Sequence, residues 1–367
     1  MRISTAIICT IAIPSLAAAI VTLGQQPAPR PRHIGLDVIV TNALGKPVPD
    51  LTAQDFTLLD NGQPARINFF LAPGQAVGGG ATAARADPPA EIVILIDSLS
   101  AAREDFAVER REISTFLRFN DGKLTHPVSI LIFDGKQVKR LAPASKDGND
   151  LANILDKSDP PLHIARPGDG YYGATDRVEQ SLAALGNLAN EAAKKPGKEL
   201  LLWIGPGWDL LPGTDARTTN NQMQKLFEQI VAMSSMLRRA RVILYAIDPQ
   251  VSIDPSLVDP TLASSHDQVR FIQYKDYLKG VKEFKKASVG NLSLQVLATQ
   301  SGGRVITLTK LELSGEIATC VTDADADYLV SFDAPPTTNK DEYHDLKITL
   351  DKPGLTARTR SGYYNQP

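Results

Sequence analysis

The chain has 367 residues and a formal net charge of −2 at pH 7. It is long enough for two domains and lacks the basic excess that marks a nucleic-acid partner. Its apolar share of 43% and charged share of 22% are those of a folded globular protein, which excludes a fibrous or wholly disordered chain.

The first stretch reads as a targeting segment. Arg2 is followed by a charge-free run, Ile3 to Leu23, and Ala17-Ala18-Ala19 offers a small-residue cleavage site ahead of Gln25. Residues 1–24 are therefore expected to be a secretory signal peptide, with the folded part exported to the periplasm, the cell envelope or the medium. An uncleaved anchor is the alternative, because the run is about long enough to span a bilayer; it would be the only membrane contact. Cys9 leaves with the signal. Cys320 then stands alone, expected in the core, with no disulfide and no cysteine zinc site in the mature chain.

A Pro-rich, disordered lead is expected over 25–33. Leu36, Val38 and Val40 alternate with Asp37, Ile39 and Thr41, the pattern of a half-buried strand. Phe56–Asp60, Asn61-Gly62 and Ile67–Leu71 predict a hairpin, since Asn-Gly supplies the positive φ angles of a type I′ turn. Residues 34–72 are too few to bury a core of their own. The Gly- and Ala-rich stretch 73–89 reads as a linker.

From Ala90 to Thr322 strand and helix alternate. Ile92–Ile96 is a short apolar run, the mark of a strand buried on both faces, and it ends at Asp97. A helix over 102–118 follows, with Ser100 as its cap. Strands are expected at His126–Phe133, Leu200–Ile204, Val242–Ile247 and Val305–Leu308, with a short return strand at Gln137–Leu141. Helices are expected at 150–155, from a capping box at Asp176 to Pro196, at 223–233, at 292–299 and at 313–321. Residues 249–290 break the rhythm as an insertion, in which Phe271–Lys286 predicts an exposed helix carrying Lys279, Lys282, Lys285 and Lys286. Residues 323–367 return to strands at 328–332, 345–350 and 355–360. The expected fold is α/β: a doubly wound, mostly parallel sheet inserted in a small β-sandwich built from both ends of the chain.

Three positions line up at the carboxyl edge of the sheet: Asp97, Thr175 and Gly205-Pro206-Gly207-Trp208-Asp209. This arrangement resembles a von Willebrand factor type A domain. Such a domain binds Mg²⁺ through Asp-x-Ser-x-Ser, a Thr and a later Asp, with a partner carboxylate completing the shell. Leu51–Phe56, Asp60-Asn61-Gly62, Gly205–Trp208 and Thr359–Tyr364 extend the likeness to bacterial exported "VWFA-related domain" proteins. Asp97 matches the motif, but Leu99 and Ala101 hold the two serine positions, with Ser98 and Ser100 one residue off. Thr175 fits, while Pro206 stands where the last Asp is expected. The resemblance thus implies a degenerate metal site of Asp97, Ser98, Ser100 and Thr175, binding Mg²⁺ weakly or not at all. Tyr171, Tyr172, Trp208 and Asp209 are candidate partner-binding residues on the same rim.

Other chemistries find little footing. Gly168–Gly173 spells G-x-G-x-x-G but lacks a strand before it and an acid on the next strand, so it reads as a loop. There is no G-x-S-x-G elbow. The five histidines are scattered and read as surface or turn residues. The leading expectation is a non-enzymatic, exported module that binds or adheres to a protein partner through the carboxyl edge. A metal-independent envelope scaffold is the alternative. An enzyme using sheet-edge carboxylates ranks last, for want of a nucleophile–base pair.

Overall fold

The computed structural model describes residues 32–77, 85–86, 88–98, 103–158, 170–208, 219–249, 274–308, 312–337 and 339–365. The expected signal peptide, most of the Pro-rich lead, the centre of the linker, Ser100, Asp209 and residues 250–273 of the insertion lie outside them. No described helix is long and apolar enough to cross a membrane.

The main strands and helices are β1 (Arg32–Asn42), β2 (Phe56–Asp60), β3 (Ile67–Leu71), β4 (Glu91–Asp97), α1 (Arg103–Arg118), β5 (Lys123–Phe133), α2 (Gly148–Asp156), α3 (Gly170–Ala192), β6 (Glu199–Ile204), α4 (Asn220–Arg239), β7 (Val242–Asp248), α5 (Leu294–Gln300), β8 (Val305–Thr307), α6 (Leu313–Thr322), β9 (Asp327–Ala334), β10 (Glu342–Leu350), β11 (Leu355–Arg358) and β12 (Gly362–Asn365). The molecule belongs to the α/β class.

One seven-stranded sheet runs β5-β4-β6-β7-β8, all parallel. Two short strands, Ser145–Asp147 and Val138–Arg140, pair antiparallel with β5. Side chains alternate between faces because the strand period is two. Leu95, Phe133, Trp203 and Leu244 share one hydrophobic cluster with α3, α4 and α5. Ile94, Ile132, Leu202 and Tyr245 share another with α1, α2 and α6. Helices therefore cover both faces, which is why these strands read as unbroken apolar runs.

The two ends of the chain meet in two four-stranded antiparallel sheets, β11-β1-β9-β3 and β12-β10-β2 with Gln63–Pro64. Leu36 lies opposite Val330, and Leu58 opposite Ile348. One core of Leu36, Val38, Phe56, Leu58, Phe332 and Tyr363 fills the space between these sheets. Each such side chain contributes roughly 1.5–3 kcal/mol on leaving water. Neither end holds enough of them to do this without the other.

Several local expectations need correction. Asn61 and Gly62 have φ of 49° and 79°, as the type I′ turn requires. The return strand, however, is only Gln63–Pro64, and β3 crosses to the other sheet to pair with β9. Pro64 cannot donate to a longer ladder, and a ladder continued there would expose the apolar side chains of β3. Helix α3 starts at Gly170, not at the Asp176 capping box, so part of the supposed Gly168–Gly173 loop is helical. The extended backbone begins at Arg32, inside the expected lead.

Among the described residues of the insertion the expected helix holds only over 274–276. Beyond Leu278 the chain runs irregularly through two short 3₁₀ turns, the second reaching Leu292 just past the insertion, and Val281, Ala287 and Leu292 are buried. Gly280 lies against the ring of Tyr343, where an added Cβ would fall 1.9 Å from it. Tyr364 donates to the Val281 carbonyl at 3.2 Å, and Lys282 pairs with Asp345. The segment joins the α/β unit to the sandwich. His126 and His344 are also buried rather than superficial, each paired with an aspartate.

Candidate functional site at the carboxyl edge of the sheet

Strands β4, β5 and β6 end together. Ile204 is level with Ile96, and Asp97 with Phe133. Asp97 has the same parity as Leu95, so its side chain turns to the face holding Trp203. There its Oδ2 accepts the Trp203 indole N–H at 3.0 Å, with Asp97 only 1% exposed. Gly205, at φ 147°, brings the end of β6 so close that a Cβ would sit 2.7 Å from the Asp97 Cβ. Only glycine combines that angle with that approach.

Ser98 is fully buried. Its backbone N–H and its hydroxyl both donate to the Phe133 carbonyl, each at 2.9 Å. The hydroxyl thus closes the end of β4 onto β5 instead of facing outward. Ser98 and Asp97 are in this way both tied into the sheet.

Trp208 does not form an exposed rim. It is 3% exposed, donates its indole N–H to the Leu292 carbonyl at 2.9 Å and packs edge-on against Trp203, with ring centroids 5.5 Å apart. Phe133 adds a further edge contact to Trp203. The sequence expectation fails here because a Trp just after a strand looks accessible until the chain near Leu292 folds over it. Thr175, Tyr171 and Tyr172 lie in the first turns of α3, and their side chains fall outside the described residues, as do Ser100 and Asp209 altogether.

Beside these residues a cleft of about 50 Å³ is bounded by Pro206, Asp248, Tyr274, Leu294 and Thr307. Partial burial raises the Tyr274 phenol above its ordinary pKa. The volume is far below the several hundred Å³ of an ordinary small-molecule site. Among the described residues no group of three or more His, Cys, Asp or Glu is placed to hold a metal ion.

Sequence reasoning singled out Asp97 but missed its partner. The available signal was parity: Trp203 and Asp97 occupy equivalent faces of two buried strands that end in the same way.

No family model matches the chain, and no curated protein matches it. Several solved structures are similar in part. Proximal thread matrix protein 1 from the mussel byssus is 13% identical at a TM-score of 0.33, over 67% of this chain and 48% of that one. Human COPII-coat protein Sec24c is 10% identical at 0.32, over 76% and 44%. The PilB minor pilin of Streptococcus sanguinis is 10% identical at 0.32, over 66% and 64%. The chain spans less than half the length of the first two. Likeness at this level carries no functional argument.

Proposed function

We propose that the chain is a non-enzymatic, exported protein-binding module with a doubly wound sheet of the von Willebrand factor type A kind, and that it meets its partner without a resident metal ion. The strand order, with helices on both faces, supports the architecture. One observation carries the rest: Asp97 Oδ2 is held by the Trp203 indole while the Ser98 hydroxyl is spent on the Phe133 carbonyl. Mg²⁺ demands near-octahedral oxygen ligands, and these two residues do not fit it. Pro206 adds no oxygen from its side chain. Export rests on the charge-free Ile3–Leu23 run.

Capture from an envelope extract, with and without a chelator, tests this reading. Capture should persist in chelator and fall when Pro206→Arg alters the carboxyl edge. Loss of capture in chelator would overturn metal independence. Capture that ignores Pro206→Arg would favour the second reading, a scaffold that makes its contacts elsewhere. That alternative draws on the close seating of Gly280 against Tyr343, which packs this segment of the insertion on the sandwich.

A further inference from the structure

Helix α1 sorts its charges by face. Ala107, Arg111, Ser114 and Arg118 recur at the three- and four-residue spacing that shares one side of a helix, with Arg110 beside them. The acids of the same stretch are drawn elsewhere. Glu109 is buried, at 3% exposure, and Glu112 accepts from the Ser314 hydroxyl of α6 at 3.3 Å. Where α2 ends against α1, a cleft of about 320 Å³ opens, with Arg110, Arg111, Arg118 and Asp156 around it and the small Ala107 leaving it room.

These groups reach solvent: the side chains of Arg111, Arg118 and Asp156 are 67%, 39% and 42% exposed. Two of the arginines are also held in place. Arg118 Nη2 donates to Asp156 Oδ2 at 2.7 Å and to Asn153 Oδ1 at 3.0 Å. Arg110 Nη1 donates to the Ser158 carbonyl at 3.0 Å and the Asp156 carbonyl at 3.4 Å. Each is fixed through one terminal nitrogen, and its other nitrogens have no hydrogen-bond partner among the described residues. Arg111 meets only Glu112, at 3.8 Å, outside hydrogen-bond range. A guanidinium carries five N–H donors, so most donors around the cleft are unspent. Three arginines against the one lining carboxylate leave two positive charges in excess, with Glu112 at the rim turned to Ser314. Burial pushes the Asp156 carboxyl up, but bonds from Ser114 and Arg118 outweigh it and hold the group below its ordinary range, so its charge is constant near neutrality. No histidine lines the cleft.

We propose that this cleft binds a phosphate monoester in its doubly charged form, its oxygens accepting from Arg110, Arg111 and Arg118. Guanidinium groups present paired N–H donors that match phosphate oxygens. A monoester carries about −1.5 to −2 charges at pH 7, which answers the excess, whereas a single carboxylate leaves part of it uncancelled. The volume is at the low end of small-molecule sites and suits a head group with a few carbons of its carrier. A small soluble phosphate and the terminal phosphate of an acidic lipid share that chemistry. The cleft shares no residue with the one at the carboxyl edge and does not depend on the reading given for it.

Glycerol 3-phosphate, glycerol and acetate, titrated calorimetrically into the full chain, test the proposal. Glycerol 3-phosphate should bind saturably at millimolar concentration or below, glycerol should not bind, and acetate should bind about tenfold more weakly for want of the second charge. Affinity should fall several-fold between about pH 7.5 and about pH 5, as the phosphate takes up a proton near its second pKa of about 6. Arg111 makes no hydrogen bond within the fold, so Arg111→Gln should leave the thermal melt unchanged and weaken glycerol 3-phosphate about tenfold, the share of one charge-assisted bond. Flotation with phosphatidylcholine vesicles carrying phosphatidic acid separates the sources: capture alongside soluble binding assigns the site to a lipid head group, and soluble binding without capture to a small phosphate. No saturable binding of glycerol 3-phosphate, equal binding of acetate, or an affinity indifferent to pH or to Arg111→Gln would overturn the proposal.

Discussion

Trp203 donates its indole N–H to Asp97 Oδ2 at 3.0 Å across the ends of two neighbouring parallel strands. The bond places a carboxylate inside the sheet and gives it a donor there. Removing either partner is expected to act first on stability. Trp203→Phe keeps most of the aromatic packing and leaves Asp97 short of one donor, at a cost of about 1.5–3 kcal/mol. Urea denaturation checks this. Calorimetric titration of the unmodified chain with Mg²⁺ and Mn²⁺ should show no micromolar binding; such binding, abolished by Asp97→Ala, would refute the metal-free reading.

Glycines give predictions of opposite sign. Gly280→Ala would drive a Cβ to within 1.9 Å of the Tyr343 ring. It should destabilise the fold by about 2 kcal/mol or more, the usual cost of overpacking. Gly315 in α6 has nothing within 4 Å of such a Cβ, so Gly315→Ala should stabilise by about 0.5–1 kcal/mol through helix propensity. Paired thermal melts distinguish the two.

The buried ion pair predicts a pH effect. Burial pushes Asp327 from its ordinary 3.8 up to about 7, against the pull of Lys198. The folded state thus keeps a proton that the unfolded chain releases earlier. This contribution to stability is full below pH 3.8 and is lost as the pH rises to about 7. Replacing both partners, Lys198→Met with Asp327→Leu, should remove that slope at little net cost, whereas Lys198→Met alone removes the pull that holds the Asp327 pKa down and should carry the loss to higher pH. Denaturation midpoints across this pH range provide the comparison.

Cys320 is fully buried, and burial pushes its thiol up to about 12 although the Arg304 guanidinium pulls the other way. A thiol reagent at neutral pH should leave it untouched in the folded chain and modify it at once in denaturant. Fast labelling of the native protein would contradict the packing around α6.

The α/β class and most strand positions were legible from residue order. A strand covered on both faces, such as Ile92–Ile96, is a continuous apolar run, and a half-covered one, such as Leu36–Val40, alternates. Those patterns are local, because each residue's burial repeats with the period of its own element. Asn61-Gly62 was legible as a turn for the same reason. Partners were not. Asp97 and Trp203 are 106 residues apart, Trp208 and Leu292 84, and Lys198 and Asp327 129. Which side chain meets which depends on strand register and on the crossing of distant segments, and periodicity carries neither. For that reason Trp208 looked like a rim residue and proved to be core, and the chain after Leu278 looked like a continuing exposed helix and proved to be irregular and packed between the two parts of the fold. Residue order set which periodic strands and helices are buried; tertiary packing decided what each buried polar group touches and which aperiodic segments, such as Trp208 and Val281, are covered.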